Sequence, residues 1–236
     1  MEEKRLNYFE EGRILIFDKP AHWTSFDLVN KIRIMIRAAF GLRKIKVGHA
    51  GTLDPLATGL MIICTGPSTR RIEEFMGFEK EYTATIELGA TTPSFDLETE
   101  IDDHFPVNHI TEEMVTEMLK KFTGEQLQVP PLFSAKFIDG KRAYKFARKG
   151  QDIELEPVKV NIREIELLSF SQSRISIRMV CGKGTYIRAF ARDLGKSLNS
   201  GAYISELRRT ATGPYKIEEA MDLEKFRLFL EHLKQT

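Results

Sequence analysis

Residues 48–59, Gly-His-Ala-Gly-Thr-Leu-Asp-Pro-Leu-Ala-Thr-Gly, constrain the fold more than any other stretch of this chain. Three glycines and a proline within this stretch favour a tight loop, because both residue types are poor in the interior of helices and strands. The apolar run 60–64 follows at once and predicts a buried strand. The chain must therefore fold so that a constrained loop leads directly into the core.

One carboxylate, Asp54, lies in the middle of this loop and is the only acid between Asp27 and Glu73. A lone acid on a tight loop at the entrance of a strand is a candidate nucleophile or general base. The alternative is purely structural, because an aspartate before a proline commonly starts a turn. The loop by itself leaves both interpretations open.

Composition limits the class of protein. The 236 residues carry 35 basic and 34 acidic side chains, so the net charge of +1 gives no general attraction to a polyanion, and a nucleic-acid surface would need local segregation of charge. The two cysteines lie in apolar strand patterns without metal-ligand spacing, which predicts free thiols in a reducing compartment. The charged N-terminus and short apolar runs predict a cytoplasmic protein with no membrane segment.

Periodicity predicts an α+β fold around a mixed, largely antiparallel sheet flanked by helices, because strands occur both before and after the helices without regular alternation. Strands are predicted at 13–18, 81–89, 158–170 and 174–181, and helices at 25–40, 111–122, 185–195 and 222–234. The acidic stretch 91–105 is predicted to be a surface loop, and 206–210 a basic turn.

Two stretches concentrate positive charge. The first contains Lys31, Arg33 and Arg37 with Arg43, Lys44 and Lys46, and its simplest interpretation is a solvated face. The second, 126–150, mixes cations with Tyr144 and Phe146, a combination that can hold a phosphate backbone and stack on bases, although an ordinary basic helix fits as well. Its cations are Lys136, Lys141, Arg142, Lys145, Arg148 and Lys149.

Several blocks of the chain resemble, in the same order, the bacterial tRNA pseudouridine synthases of the TruB type. They are Asp18-Lys19-Pro20 with Thr24-Ser25, residues 48–59, Lys80-Glu81-Tyr82, residues 128–131 and 133–136 continued by Gly140-Lys141, Tyr144, Ala147-Arg148 and Gly150, residues 182–188 and Leu207-Arg208-Arg209. Six ordered blocks are far more specific than any one of them. One departure is His22, at a position where the family usually has glycine.

This resemblance implies a pseudouridine-synthase catalytic fold in a single domain, 1–236, with 126–150 as an insertion that closes over RNA and with no separate C-terminal RNA-binding domain. The implied reaction isomerises uridine 55 in the T-loop of tRNA to pseudouridine after the base is flipped out. No metal or cofactor is implied. The implied partner is the T-arm of tRNA, and a monomer is expected.

The resemblance also implies roles for individual residues. Asp54 is the essential catalytic carboxylate, and the substrate-binding residues are His49, Tyr82, Arg188, Leu207 and Lys19. His49 would stack in place of the extruded nucleotide, Tyr82 and Leu207 would contact the uracil, and Arg188 would pair with Asp54. Lys19 would support the pocket. Arg208 joins the cations of 126–150 as an expected RNA contact.

Two other functions remain open on the residues alone. A non-catalytic RNA-binding protein would use the basic stretches without needing Asp54. A nucleoside hydrolase would generally need a second positioned acid. The nearest candidate, Asp193, is expected to form an ordinary ion pair with Arg192 or Lys196.

Overall fold

The computed structural model describes residues 8–134, 155–235, 146 and 153, and the backbone of 137–138 and 141–142. Contacts divide the chain into two compact units, Met1–Tyr82 with Arg208–Thr236, and Thr83–Leu207. The first unit is therefore built from the two ends of the chain. The second unit is the continuous stretch between them.

In chain order the strands are β1 (Ile14–Lys19), β2 (Val47–His49), β3 (Thr58–Thr65), β4 (Lys80–Leu88), β5 (Ala90–Thr91), β6 (Asp103–His104), β7 (Gly124–Gln128), β8 (Phe137–Ile138), β9 (Lys141–Arg142), β10 (Val158–Ser171), β11 (Arg174–Cys181), β12 (Ala202–Thr212) and β13 (Tyr215–Lys216). The described helices are α1 (Ser25–Phe40), α2 (Ile72–Met76), α3 (Glu112–Lys121), α4 (Ile187–Ser197) and α5 (Leu223–Gln235). Short 3-10 helices cover Gly66–Arg71 and Ile217–Glu219.

The first unit is centred on β3, which is buried from Gly59 to Thr65. Strands β1 and β2 pair antiparallel with β3, and β12 joins it in parallel, with Arg208 opposite Thr58 and Arg209 opposite Gly59. Helix α1 packs its apolar side into this unit and begins with a complete capping box between Thr24 and Asp27. The parallel pair thus brings the end of the chain to the start of β3.

In the second unit, β4, β11, β10 and β7 are neighbours in that order, and β10 pairs antiparallel with both β11 and β7. Strand β4 alternates buried and half-buried residues along its whole length, which explains its clear pattern in the sequence. The predicted α+β class and mixed, largely antiparallel sheet are confirmed. The predicted strands and helices are also confirmed, with shifts of one or two residues at their ends.

Two predictions of local structure were wrong. Residues 206–210 are not a basic turn but part of β12, where the ladder to β3 holds two consecutive arginines in an extended conformation. The stretch 91–105 is more than a surface loop, because Thr92, Ser94 and Asp96 are buried and β5 pairs with β6. In both stretches tertiary contacts override the local turn signals.

Both cysteines are free and buried, Cys64 on β3 and Cys181 on β11, as the sequence predicts. Burial raises the pKa of the Cys64 thiol to about 11, so this side chain is protonated and behaves as a small apolar residue at neutral pH. Among the described residues, none of the helices has the length and apolar character needed to cross a membrane.

Exposed His22 has a φ of 65°, in the left-handed region that favours glycine. The backbone therefore keeps the conformation of a glycine although a side chain is present. We expect His22→Gly to increase the free energy of unfolding by about 1 kcal/mol, because the steric strain is relieved. Urea unfolding of the variant and wild type checks this. His104→Gly, at an exposed strand position with ordinary backbone angles, should destabilise instead; stabilisation by both changes would contradict the explanation.

Candidate active site

The loop that carries Asp54 connects β2 with β3 in the first unit and is fastened on both sides of the carboxylate. On one side, Leu53 is buried and its backbone N–H donates to Ser25 Oγ at 2.8 Å, while that hydroxyl donates to the Leu53 carbonyl at 3.0 Å. On the other side, the Pro55 carbonyl accepts from Lys19 Nζ at 3.2 Å. Asp54 itself is half-buried, so its carboxylate is held at a fixed place without being sealed from the surface.

Lys19, at the end of β1, is fully buried. Besides Pro55, its ammonium group donates to the carbonyls of Pro20 at 2.9 Å and Trp23 at 2.7 Å. Burial lowers the pKa of Lys19 to about 8, and the negative charge of Asp54 opposes this shift. Lys19 therefore carries a positive charge at neutral pH next to the Asp54 loop, and its predicted supporting role stays a prediction.

Arg209 on β12 is the largest fully buried side chain among the described residues, with 1% of its surface exposed. Its Nε donates to the Leu60 carbonyl at 2.7 Å and its Nη2 to the Gly51 carbonyl at 3.2 Å. These two carbonyls lie before and after Asp54 in the sequence. The sequence block Leu207-Arg208-Arg209 contained this residue, but only Arg208 was predicted to act.

His49 lies at the end of β2, two residues before Gly51. Its Nδ1 atom is buried and has no hydrogen-bond partner among the residues that the structure describes. Burial and then the charge of Arg209 lower the pKa of His49, while the backbone at Gly51 acts in the opposite direction. The ring is consequently neutral at physiological pH.

Two further predicted residues belong to the first unit. Tyr82 is buried near the start of β4, at the last position of the first of the two segments that form this unit. Arg208 is half-exposed and binds Asp18 through Nη2 at 2.6 Å and Nη1 at 3.1 Å, and Nη1 also donates to Thr58 Oγ1 at 3.3 Å. Arg208, which was predicted to contact RNA, thus forms an ion pair with Asp18 on β1.

The remaining predicted residues, Arg188 and Leu207, belong to the second unit. Arg188 is buried near the start of α4, and its Nε lies 3.5 Å from the carboxylate of Asp96. Its Nη1 and Nη2 donate to the carbonyls of Ser94 and Phe133, both at 2.8 Å. Leu207 is half-buried on β12. The predicted pair of Arg188 with Asp54 stays a prediction.

Most of the residues of 126–150 that were predicted to contact RNA are not among those that the structure describes. Lys136, Lys145, Arg148 and Lys149 lie outside the described residues. For Lys141 and Arg142 the structure describes the backbone of β9, which pairs with β8. The proposed role of this segment therefore rests on the sequence.

The first basic stretch was interpreted from the sequence as a solvated face, and all of its cations except Lys31 line an open groove of about 610 Å³ in the first unit. Six cations and one carboxylate, Glu10, face it; the cations are Arg33, Arg37, Arg43, Lys44, Lys46 and Arg70. Of the carboxylates in the described ranges, none lies within ion-pair distance of these six side chains. The groove is thus a concentrated positive surface on a chain of almost zero net charge.

Sequence reasoning missed three residues of this arrangement. Ser25 was assigned to the start of α1 and not to the Asp54 loop, Asp96 was placed on a surface loop, and Arg209 was placed in a turn. The signal for Arg209 was its position next to Arg208 in a block that matched the family. Ser25 likewise stood in a block that matched the family. Asp96 had no such signal, since its partner Arg188 is distant in the sequence.

Comparisons with known proteins agree with this fold. The family described as TruB family pseudouridylate synthase (N terminal domain) matches residues 37–187, and the one described as tRNA pseudouridylate synthase B C-terminal domain matches 188–236. The tRNA pseudouridine synthase B of Phocaeicola vulgatus is 58% identical over 223 residues, which cover 94% of this chain and 95% of that protein. That of Flavobacterium johnsoniae is 51% identical over 217 residues, 92% of this chain and 95% of the relative.

Among solved structures, a chain in the crystal structure of a Cbf5-Nop10-Gar1 complex matches with a TM-score of 0.72 and 26% identity. The match covers 100% of this chain and 58% of that one, so the present chain spans little more than half of its length. The fold and the ordered blocks define a pseudouridine synthase, an isomerase that acts on RNA. The chain belongs to the TruB family of these enzymes.

Lys19 should make stability depend on pH. Below pH 8 it is charged in both the folded and the unfolded chain; between about 8 and its ordinary value of 10.5 only the unfolded chain keeps the proton, so stability rises with pH. The free energy of unfolding of the wild type minus that of Lys19→Met should rise by up to about 3 kcal/mol from pH 7 to pH 10.5. Urea unfolding of both proteins at several pH values measures it. A difference independent of pH would contradict the buried, charged lysine.

Proposed function

We propose that this chain converts uridine 55 in the T-loop of tRNA to pseudouridine, with Asp54 as the essential carboxylate. Two relatives that are 58% and 51% identical over the aligned residues are named tRNA pseudouridine synthase B, which supports tRNA as the substrate. The position in the T-loop follows from the resemblance of the ordered sequence blocks. The choice of uridine 55 over other uridines is tested separately below.

The observation that carries the proposal is the fixed and half-exposed position of Asp54. The residues before and after it are held by Ser25 and Lys19, and the buried cations Lys19 and Arg209 both bind backbone carbonyls on or next to the loop that carries it. A turn-capping aspartate would need none of these connections. A carboxylate fixed in this way can attack or accept a proton without first being ordered, which lowers the entropic cost of the reaction.

The reaction is an isomerisation and needs no co-reactant. The bond between N1 of the uracil and C1′ of the ribose breaks, the base turns, C5 forms a new bond to C1′, and the proton on C5 leaves while N1 gains one. Asp54 could attack the sugar, attack the base or remove a proton from the sugar. The three routes share the requirement for an ionised Asp54 close to the target nucleotide.

The target uridine is stacked in a folded loop, so it must be extruded at a cost of a few kcal/mol before Asp54 can reach it. A neutral imidazole is well suited to stack in the vacated space, and burial together with Arg209 keeps His49 neutral. Tyr82 offers an aromatic face for the extruded base. Arg188 and Leu207 retain the roles that the resemblance implies.

The positive groove offers a contact for the RNA backbone. Lys46, one of its lining residues, precedes β2 and lies eight positions before Asp54, so it is within about 29 Å of that residue even with a fully extended chain. Six cations that form no ion pair with a described carboxylate can replace the ions condensed on a phosphate backbone. We assign the groove and the segment 126–150 to binding of the tRNA outside the reacting nucleotide.

The decisive experiment uses T-arm RNA with tritium at C5 of one uridine only. One RNA carries the label at position 55 and a second carries it at another uridine. Wild type should release tritium from the first RNA alone, and Asp54→Asn should reduce release by at least about 1,000-fold, because the amide cannot act as a nucleophile or base. Binding of the labelled RNA to both proteins is measured in parallel.

The matched control is Asp103→Asn, an exposed aspartate of the second unit, which should behave as wild type. Release by Asp54→Asn at the wild-type rate would refute the catalytic role. Tight RNA binding by wild type without release from either RNA would favour the non-catalytic binding protein. Release from both RNAs would refute specificity for position 55.

The groove makes a separate prediction. In Lys44→Gln/Lys46→Gln, tRNA affinity should fall, and the slope of log affinity against log salt should become shallower by about one to two, because up to two phosphate contacts are lost. The single-turnover rate at saturating enzyme should stay unchanged. Filter binding at several salt concentrations measures the slope. Lys225→Gln, on the exposed side of α5, is the control; an unchanged slope in the double variant would exclude the groove from RNA binding.

A further inference from the structure

The buried guanidinium of Arg209 connects two points of the chain that enclose the catalytic carboxylate. Its donors reach the carbonyl of Gly51, three residues before Asp54, and that of Leu60, six residues after it. A buried cation is costly unless its donors are satisfied. Here the acceptors are the Gly51 carbonyl in the loop and the Leu60 carbonyl in β3 just after it, so the position of this side chain and the conformation of the loop depend on each other.

We propose that Arg209 is a positioning residue for catalysis, which fixes the Asp54 loop by binding the backbone on both sides of Asp54 at once. This assignment rests on the proposed function, because Asp54 is taken as the catalytic carboxylate. Within the described part of the chain no carboxylate lies within ion-pair distance of Arg209. The described hydrogen bonds of its guanidinium therefore go to the backbone carbonyls of Gly51 and Leu60 and not to a carboxylate.

Two glycines, Gly51 and Gly59, lie where the Asp54 loop approaches Arg209 most closely. Gly59 has a φ of +108°, and a Cβ at this position would lie 2.2 Å from the Arg209 carbonyl oxygen and 2.7 Å from its backbone nitrogen. Gly51 has a φ of +99°, and a Cβ there would lie 3.5 Å from Nη1 of Arg209. The loop thus meets the backbone of Arg209 at one end and its guanidinium at the other, and Gly59 admits this approach because it has no side chain.

The other contacts of the loop are consistent with this role. Ser25 holds Leu53 and Lys19 holds Pro55, so the two neighbours of Asp54 are fixed from α1 and β1. Arg209 closes the arrangement from β12, a strand at the other end of the sequence. A displacement of about 1 Å at a reacting group can cost about 100-fold in rate, so the loss of the outer connection should be visible in the chemical step.

Arg209→Lys and Arg209→Met separate the charge from the two-ended contact. Lysine keeps the charge but has a single ammonium group at the end of a flexible stem, whereas the fixed fork of arginine donates in two directions. We expect both variants to lose at least about 100-fold in single-turnover release of tritium, with RNA affinity within about threefold of wild type. Arg227→Met, an exposed arginine on α5, should stay within about twofold in both measurements.

Hydrogen exchange gives a readout that does not depend on activity. In Arg209→Lys and Arg209→Met, peptides covering 50–62 should exchange about tenfold faster than in wild type, while peptides from β10, β11 and α5 should be unchanged. This measurement decides the positioning of the loop even if the wild type proves inactive on T-arm RNA, which would refute the proposed function instead. Lys19→Met, which removes the contact at Pro55, serves as the comparison for a local loss within the same loop.

Three results would overturn the proposal. Wild-type rate in Arg209→Lys would show that charge alone suffices. Unchanged exchange of 50–62 in both variants would show that the loop does not depend on Arg209. Faster exchange throughout the first unit, with rate and RNA affinity falling together, would assign Arg209 to general stability.

Discussion

The parallel contact between β3 and β12 is the constraint on which the first unit depends. It is short, with Thr58 opposite Arg208 and Gly59 opposite Arg209, but it fixes where the buried strand β3 begins. The absence of a side chain at Gly59 allows this approach, since a Cβ would meet the Arg209 backbone at 2.2 Å. The place where β3 starts in turn determines where the preceding loop must end, and hence the position of Asp54.

Electrostatics reinforce this arrangement. Lys19 and Arg209 are buried cations whose described hydrogen bonds go to backbone carbonyls, most of them on or beside the Asp54 loop. Carbonyls satisfy the donors without cancelling the charge, so positive potential persists in a region of low dielectric. Burial, together with the charge of Arg209, lowers the pKa of His49 and keeps its ring neutral. One set of side chains therefore shapes the loop and prepares its chemistry.

Much of the fold could be predicted from the sequence because its signals are local. Thr24 and Gly41 delimit α1, and the alternation of β4 is uninterrupted, so both elements follow from short-range rules. Strand β12 around Arg209 could not be predicted in this way, since consecutive arginines favour a solvated turn and the partner Gly59 is far away in the sequence. Asp96 was missed for the same reason, because its partner Arg188 lies on α4. Asp54 and Lys19 were recognised from their blocks. The charge of residues 33–46 was visible in the sequence, but the groove was not, because Arg70 and the other lining residues come from later in the chain or from its start.

The discontinuity of the first unit has a consequence for biosynthesis. Arg209 and Leu60 are 149 residues apart, and the whole second unit is encoded between them. At about 5–20 residues per second, a ribosome needs roughly 7–30 s to advance from one to the other. During that interval the nascent chain has a complete sequence for the Asp54 loop but lacks the strand that closes it. The loop is therefore assembled late, when the last strands and α5 have emerged and the two ends of the polypeptide meet.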